Sequence, residues 1–260
     1  MNTAIITSPV IPWSAPPETP EVSRNEVQVW RAILDQTPSQ IQGFLQSLAA
    51  DERARADRFY FERDRERFIV ARGLLRAILG RYLNRAPECL SFFYGSHGKP
   101  ALAGESDDDA ICFNVSHSDG VALYAVTRGH EVGIDIERIR LDLPVVEIAE
   151  RFFSPREAAT IRTLPTEEQY RTFFRYWTRK EAYIKAGGEG LSLPLDQFDV
   201  SPAPGEPGTL LGAQQDPSEA SHWSLWELTP DPGYVAAVAT EGHDRHLTCW
   251  QWSDPRQQSV

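Results

Sequence analysis

Each half of the sequence mixes strand-like runs with helical stretches, and that mixture limits the possible folds more than any other property of the chain. EVQVWRAIL alternates with the two-residue period of a strand. LSFFYGSHGKPAL reads as a strand entering a glycine-rich turn, ICFNVSHSDGVALYAVT as two strands joined at residues 116–120, and EVGIDIERI as one more short strand. HWSLWEL, YVAAVAT and HLTCWQW are aromatic and β-branched and predict three antiparallel strands near the C-terminal end. Between these runs, Thr37-Pro38 supplies the polar cap and first-turn proline of a helix, and two more helices end near Leu83. Residues 144–153 and 155–164 predict short helices, and 166–186 a long one stopped by Gly187-Gly188. The expectation is an α+β fold of two similar-sized lobes, although no letter-level repeat relates them. The expected divisions are a proline-rich extended arm at 1–23, lobes at 24–129 and 130–253, and a polar tail at 254–260. SPAPGEPGTLLGAQQDPSEAS reads as an exposed loop.

With 260 residues, 41% of them hydrophobic, the chain has enough apolar surface for one large core or two compact halves. No apolar run approaches the roughly 20 residues of a membrane helix, and residues 1–20 lack the basic start and apolar centre of a secretory signal. A cytoplasmic location away from membranes is expected. Cys89, Cys112 and Cys249 are odd in number, far apart and without metal-ligand spacing, so they read as buried thiols in a reducing compartment. A net charge of -11 argues against nucleic acid, which demands a basic surface. Locally the balance reverses, because residues 53–85 are dense in arginine, including RARADRFYFERDRERF. Such a stretch is either a solvated pair of helices laced with i,i+4 ion pairs or a site for phosphate or an acidic partner.

Three stretches can carry chemistry. In VGIDIER, strand alternation puts Val132, Ile134 and Ile136 on one face and Asp135 and Glu137 on the other, their Cα atoms about 6.6 Å apart. Paired carboxylates are ordinary on an exposed strand, but over an apolar strand face they are easier to understand with a cation between them. Hard carboxylate oxygens suit Mg²⁺. In FNVSHSDG, Ser116 and His117 end an apolar strand where the backbone turns. They are either turn residues with local hydrogen bonds or ligand contacts, and no G-x-S-x-G elbow supports a serine hydrolase. In YWTRKEAYIKAGG, Glu181 and Lys185 stand one helical turn apart, while the adjacent Lys180 points about 100° away. Lysines on a helix are ordinarily solvated; here they could instead hold phosphates.

Taken in order, YGSHGKP, FNVSHS, VGIDIE, RFFSPRE and WTRKEAYIKAGGEGLSLPL resemble the 4'-phosphopantetheinyl transferases, specifically the larger surfactin-synthetase-activating type. The resemblance implies two lobes related by a pseudo-twofold axis, with coenzyme A bound in the cleft between them. It implies transfer of phosphopantetheine from coenzyme A to a serine of an apo acyl or peptidyl carrier protein, with release of 3',5'-ADP. By the same resemblance Asp135, Glu137 and Glu181 match Mg²⁺ ligands, and Lys180 and Lys185 match phosphate-binding lysines. Ser116, His117 and Lys99 match contacts to the coenzyme A phosphates and adenine side. Arg53 and Arg55 are candidates for the 3'-phosphate or the carrier surface. Glu181, directly or through a water on the metal, is the expected base for the carrier serine, and Lys180 is expected to stabilise the departing 3',5'-ADP. A monomer is implied. Two rivals stand beside this reading: a coenzyme A hydrolase using the same carboxylates, and a non-catalytic coenzyme A or carrier-binding module.

Overall fold

A computed structural model of the chain describes residues 11–95, 98–104, 108–188, 193–201, 210–213, 222–243 and 245–253. Its elements run β1 (Glu26–Ile33), α1 (Pro38–Ser47), α2 (Ala50–Ala56), α3 (Glu62–Leu83), β2 (Phe92–Tyr94), β3 (Pro100–Leu102), β4 (Ile111–Ser118), β5 (Val121–Arg128) and β6 (Val132–Arg138). They continue as α4 (Val145–Phe152), α5 (Pro155–Thr163), α6 (Thr166–Gly187), β7 (Phe198–Val200), β8 (Leu210–Ala213), β9 (Trp223–Leu228), β10 (Tyr234–Glu241) and β11 (His246–Gln251). Helices and sheets are therefore mixed, as the sequence leads one to expect.

Two sheets form the centre, one in the order β11-β1-β5-β4 and one in the order β6-β10-β9. Strand alternation explains the layering. Val27, Val29, Leu123 and Ala125 of the first sheet pack against Ile134, Ile136, Ala236 and Val238 of the second. The intervening residues Trp30, Ala32, Ala122 and Tyr124 turn outward onto Leu74, Leu75 and Ile78 of α3. Likewise Val235, Ala237 and Ala239 turn onto Ala182, Tyr183 and Ala186 of α6. Each inner strand thus buries both faces at about 25 cal/mol per Å² of apolar surface. The approach of α6 to β6 depends on Gly133, because a Cβ there would lie 2.0 Å from the Ala182 carbonyl oxygen. β4 and β5 are joined by Asp119 (φ 39°) and Gly120 (φ 87°), a two-residue turn with both residues left-handed, as a tight hairpin requires.

Three expectations are corrected. β9 and β10 pair antiparallel, but HLTCWQW becomes β11 and runs parallel to β1 in the first sheet, with Trp30 opposite Trp250. The lobe drawn at 130–253 therefore surrenders its last strand to the other sheet. The proline-rich segment is not wholly an excluded arm. Ser14 N donates to Cys249 O and Gln251 N donates to Ser14 O at 3.0 and 2.8 Å, and Val22 is buried in the core. Residues 1–10 and the tail at 254–260 lie outside the described residues. The expected loop beginning at Ser201 contains β8, which pairs with β7; residues 202–209 and 214–221 lie outside the described residues.

Candidate active site

β6 presents Asp135 and Glu137 toward α6, opposite the face that Ile134 and Ile136 bury between the sheets. α6 answers with Glu181 and, one turn on, Lys185. Lys185 Nζ donates to Asp135 Oδ1 at 2.6 Å and to Ser116 Oγ at 3.2 Å. β4 contributes a polar residue at every second position, and each one reaches β6. Asn114 Oδ1 accepts from Ile134 N at 3.0 Å, Ser116 Oγ donates to Asp135 Oδ1 at 2.9 Å, and Ser118 Oγ donates to Glu137 Oε2 at 3.0 Å. Alternation within FNVSHS therefore joins the two sheets side by side and fixes both carboxylates.

The electrostatics of this wall call for a cation. Burial pushes the Asp135 carboxyl above its ordinary range, against the pull of Lys185 and Ser116. Glu137 is raised by burial and then by Asp135, and Glu181 by burial and then by Asp135, with Glu137 adding to it. Lys185 pulls all three down but pairs directly with Asp135 alone, and burial outweighs it at each. Asp135 Oδ2 is buried with no hydrogen-bond partner among the described residues. Among the described residues no three His, Cys, Asp or Glu side chains are already gathered around one metal position. An ion here would draw on waters and substrate phosphates as well as on these carboxylates, as Mg²⁺ does. The donor set and the unpartnered oxygen fit it.

Two cavities meet at this wall, sharing His117 and Glu137. One, of 770 Å³, is lined by Asp135, Glu181 and Lys185 and by Phe152, Trp177 and residues 193–196. The other, of 810 Å³, is lined by Phe59, Phe68, Arg67, Arg138 and Arg140. Arg67 is held there by a two-pronged pair with Asp35, Nε–Oδ1 2.7 Å and Nη2–Oδ2 2.8 Å, leaving Nη1 3.6 Å from Asp119. His117, between the cavities, is lowered from its ordinary value by burial and by the positive charges of Lys185 and Arg67.

Asp135, Glu137, Glu181, Lys185, Ser116 and His117 thus come together, as expected from their motifs. Four expected residues do not. Lys180 is fully buried on the other side of α6, where Nζ donates to Leu195 O at 2.7 Å and to Phe198 O and pairs with Glu157 at 2.8 Å. Its neighbour Glu181 faces the cavity because adjacent helical residues diverge by about 100°. Lys99 Nζ donates to Glu131 at 2.6 Å and to Ala186 O at 3.0 Å, so it caps the C-terminal end of α6. Arg53 donates to Gln46 O and Arg55 lies over the Phe68 ring, and neither lines either of these two cavities. Arg67, farther along the same arginine-rich stretch, does line one. Helical spacing was the available signal, since Asp64, Arg67 and Phe68 fall at i, i+3 and i+4 and all face the cavity. Arg151 and Phe152, within the RFFSPRE motif, were also missed.

Comparison with known proteins identifies the class. Residues 131–239 match the family model of the 4'-phosphopantetheinyl transferase superfamily, and residues 30–128 match that of the 4'-phosphopantetheinyl transferase N-terminal domain. The chain is 42% identical to the 4'-phosphopantetheinyl transferase HetI of Nostoc sp. (strain PCC 7120) over 240 residues, 92% of this chain and 98% of the relative. It is 30% identical to the 4'-phosphopantetheinyl transferase Sfp of Bacillus subtilis (strain 168) over 84% of this chain and 94% of that one. A mouse L-aminoadipate-semialdehyde dehydrogenase-phosphopantetheinyl transferase is 31% identical over 77% of this chain and 69% of its own length. The chain belongs to the 4'-phosphopantetheinyl transferase superfamily and is an enzyme of that class.

Proposed function

We propose that the two adjoining cavities are one coenzyme A cleft between two lobes related by a pseudo-twofold axis, from which phosphopantetheine passes to a carrier-protein serine. The observation that carries this reading is the wall of three carboxylates, one of them with a buried unpartnered oxygen, beside Lys185. Asp135, Glu137 and Glu181 would hold Mg²⁺. Bound there, the ion would supply charge neutralisation at the diphosphate and polarisation of the phosphorus under attack.

The chain's own residues do the rest. Ser116 and Ser118 hold the carboxylates of β6 in place. Lys185, on the same wall, binds a phosphate oxygen and stabilises charge on the departing 3',5'-ADP. Glu181, raised by burial and by its acidic neighbours, accepts the proton of the carrier serine at its carboxylate as the serine oxygen attacks the phosphorus next to the pantetheine arm. That new O–P bond forms as the P–O bond to 3',5'-ADP breaks. The Arg67 cavity, with Phe59 and Phe68, takes the nucleotide and its 3'-phosphate. The other cavity, walled by Phe152, Trp177, Leu193 and Leu195, takes the pantetheine arm. An acidic carrier docks where Arg138, Arg140 and Arg151 rim the two openings, which explains local basic residues in a protein of net charge -11. The protein acts as a monomer in the cytoplasm, with no role in nucleic-acid or membrane binding. Its three free thiols suit that compartment, and no described helix is long and apolar enough to cross a membrane.

Incubation with coenzyme A, Mg²⁺ and an apo carrier protein tests the reading by mass spectrometry. A transferase makes the carrier heavier by one phosphopantetheine and releases 3',5'-ADP only when carrier is present. Release of 3',5'-ADP without carrier would indicate the hydrolase instead, and no product at all would leave only a binding module.

A further inference from the structure

The RFFSPRE motif and the lysine that begins KEAYIK are two halves of one buried device. Ser154-Pro155 opens α5 with a capping box: Ser154 Oγ accepts from Glu157 N at 3.2 Å, and Glu157 Oε2 accepts from Ser154 N at 3.3 Å. Glu157 does more than cap. Its Oε1 accepts from Val200 N in β7 at 2.9 Å, and its Oε2 lies 2.8 Å from Lys180 Nζ, both side chains being almost wholly excluded from water. All three ammonium donors of Lys180 are committed, to Glu157, to Leu195 O and to Phe198 O. The charge also stands 4.3 Å from the Phe198 ring centre and 5.7 Å from that of Phe153.

Both flanks of this device are cavity walls. Leu195, whose carbonyl accepts from Lys180, sits in the 193–196 segment that lines the 770 Å³ cavity; Phe153 adjoins Phe152 and Arg151, which line it from the other side. Two adjacent residues of α6 thus serve one cavity: Glu181 faces it while Lys180, behind it, ties down the 193–196 segment that shapes it.

We infer that Lys180 is a positioning residue, which with Glu157 fixes the 193–196 wall against which the pantetheine arm of coenzyme A lies, and touches no reacting atom. The inference rests on the proposed placement of that arm. Removing one partner alone would strand a buried charge, so the informative variant replaces both, Lys180→Met with Glu157→Gln, at nearly constant volume. Hydrogen exchange of the 195–200 amides should quicken. The KM for coenzyme A should rise about 10-fold while kcat stays within about 3-fold, and the affinity for 3',5'-ADP, which lacks the arm, should not change. Should the double variant fail to fold, Lys180→Arg, which keeps the charge opposite Glu157 but disturbs the two carbonyl contacts, should show the same split with smaller amplitude. A loss of kcat of about 100-fold with both affinities intact would overturn the inference by making Lys180 a catalytic group. Equal weakening of coenzyme A and 3',5'-ADP, or no change in exchange and KM, would overturn it too. Failure of the functional reading is separable, because it appears in the unmodified protein as an absence of carrier labelling, whereas exchange and binding are measured without turnover.

Discussion

At the scale of single residues, burial and partner choice decide which reactive groups are available. The three cysteines illustrate it. Against the expectation of three buried thiols, Cys89 is exposed and Cys112 half-buried; Cys249 alone is buried, between the sheets, and burial pushes its thiol up to about 12. Alkylation of the folded protein near pH 8 should therefore modify Cys89 readily and leave Cys249 untouched until denaturation, with peptide mass spectrometry as the readout. Equal labelling would contradict the burial of β11 against β1. The Arg67–Asp35 pair sets a second expectation. Its hydrogen bonds from Arg67 hold the Asp35 carboxyl below the ordinary carboxylate range. A lowered value in the folded state means that the pair's contribution is complete above the unfolded value of about 3.9 and is lost only as pH falls through the lowered one. The Tm difference between the unmodified protein and Asp35→Asn should accordingly be constant above about pH 5 and shrink below about pH 4. A difference that instead shrank toward alkaline pH would exclude this assignment. Because the pair is partly exposed, that difference should be small, and the larger effect of Arg67→Gln should fall on 3',5'-ADP affinity, by about 10-fold.

Among the elements, the contact between α6 and β6 carries the site, and Gly133 permits it. Gly133→Ala would push its Cβ into backbone atoms of Ala182 and Ala186, which cannot rotate away as a side chain could. The expected cost is at least the 1–3 kcal/mol of a typical overpacked core, with Glu181 displaced from Asp135, so thermal unfolding and transfer should both suffer. A variant with the original Tm and rate would show that α6 stands farther off. How far such elements can be read in advance depends on whether their causes are local. β6 and α6 are legible because alternation over VGIDIER and the i,i+4 spacing of Glu181 and Lys185 put the reactive groups on definite faces. The β4–β5 hairpin is legible because Asp119-Gly120 suits two left-handed residues. The pairing of β11 with β1 is not, since its strand partner lies more than two hundred residues away and alternation says nothing of direction. The burial of Lys180 is not legible either: its partner Glu157 is distant in sequence, and only packing reveals which face of α6 is buried. Arg67 is not legible because an arginine-rich stretch does not declare which of its guanidinium groups turns inward.

For the molecule as a whole, the site arises where two sheets are joined edge to edge by the polar side of β4, and where α3 and α6 close the outer layers. Nucleotide, diphosphate and arm would then occupy one continuous path past His117 and Glu137, along which Asp135, Glu137 and Glu181 would hold the metal. That arrangement couples two ligands. A metal held by Asp135, Glu137 and Glu181 should tighten coenzyme A through its diphosphate, and coenzyme A should tighten the metal by the same factor. Calorimetric titration of coenzyme A with and without Mg²⁺, into the unmodified protein and into Glu181→Ala, measures that coupling directly. The expected result is Mg²⁺ tightening coenzyme A binding by about 10-fold or more in the unmodified protein, about 1.4 kcal/mol, and leaving it nearly unchanged in the variant. An equal Mg²⁺ effect in both proteins, or none in the unmodified one, would contradict the carboxylate wall as the metal site.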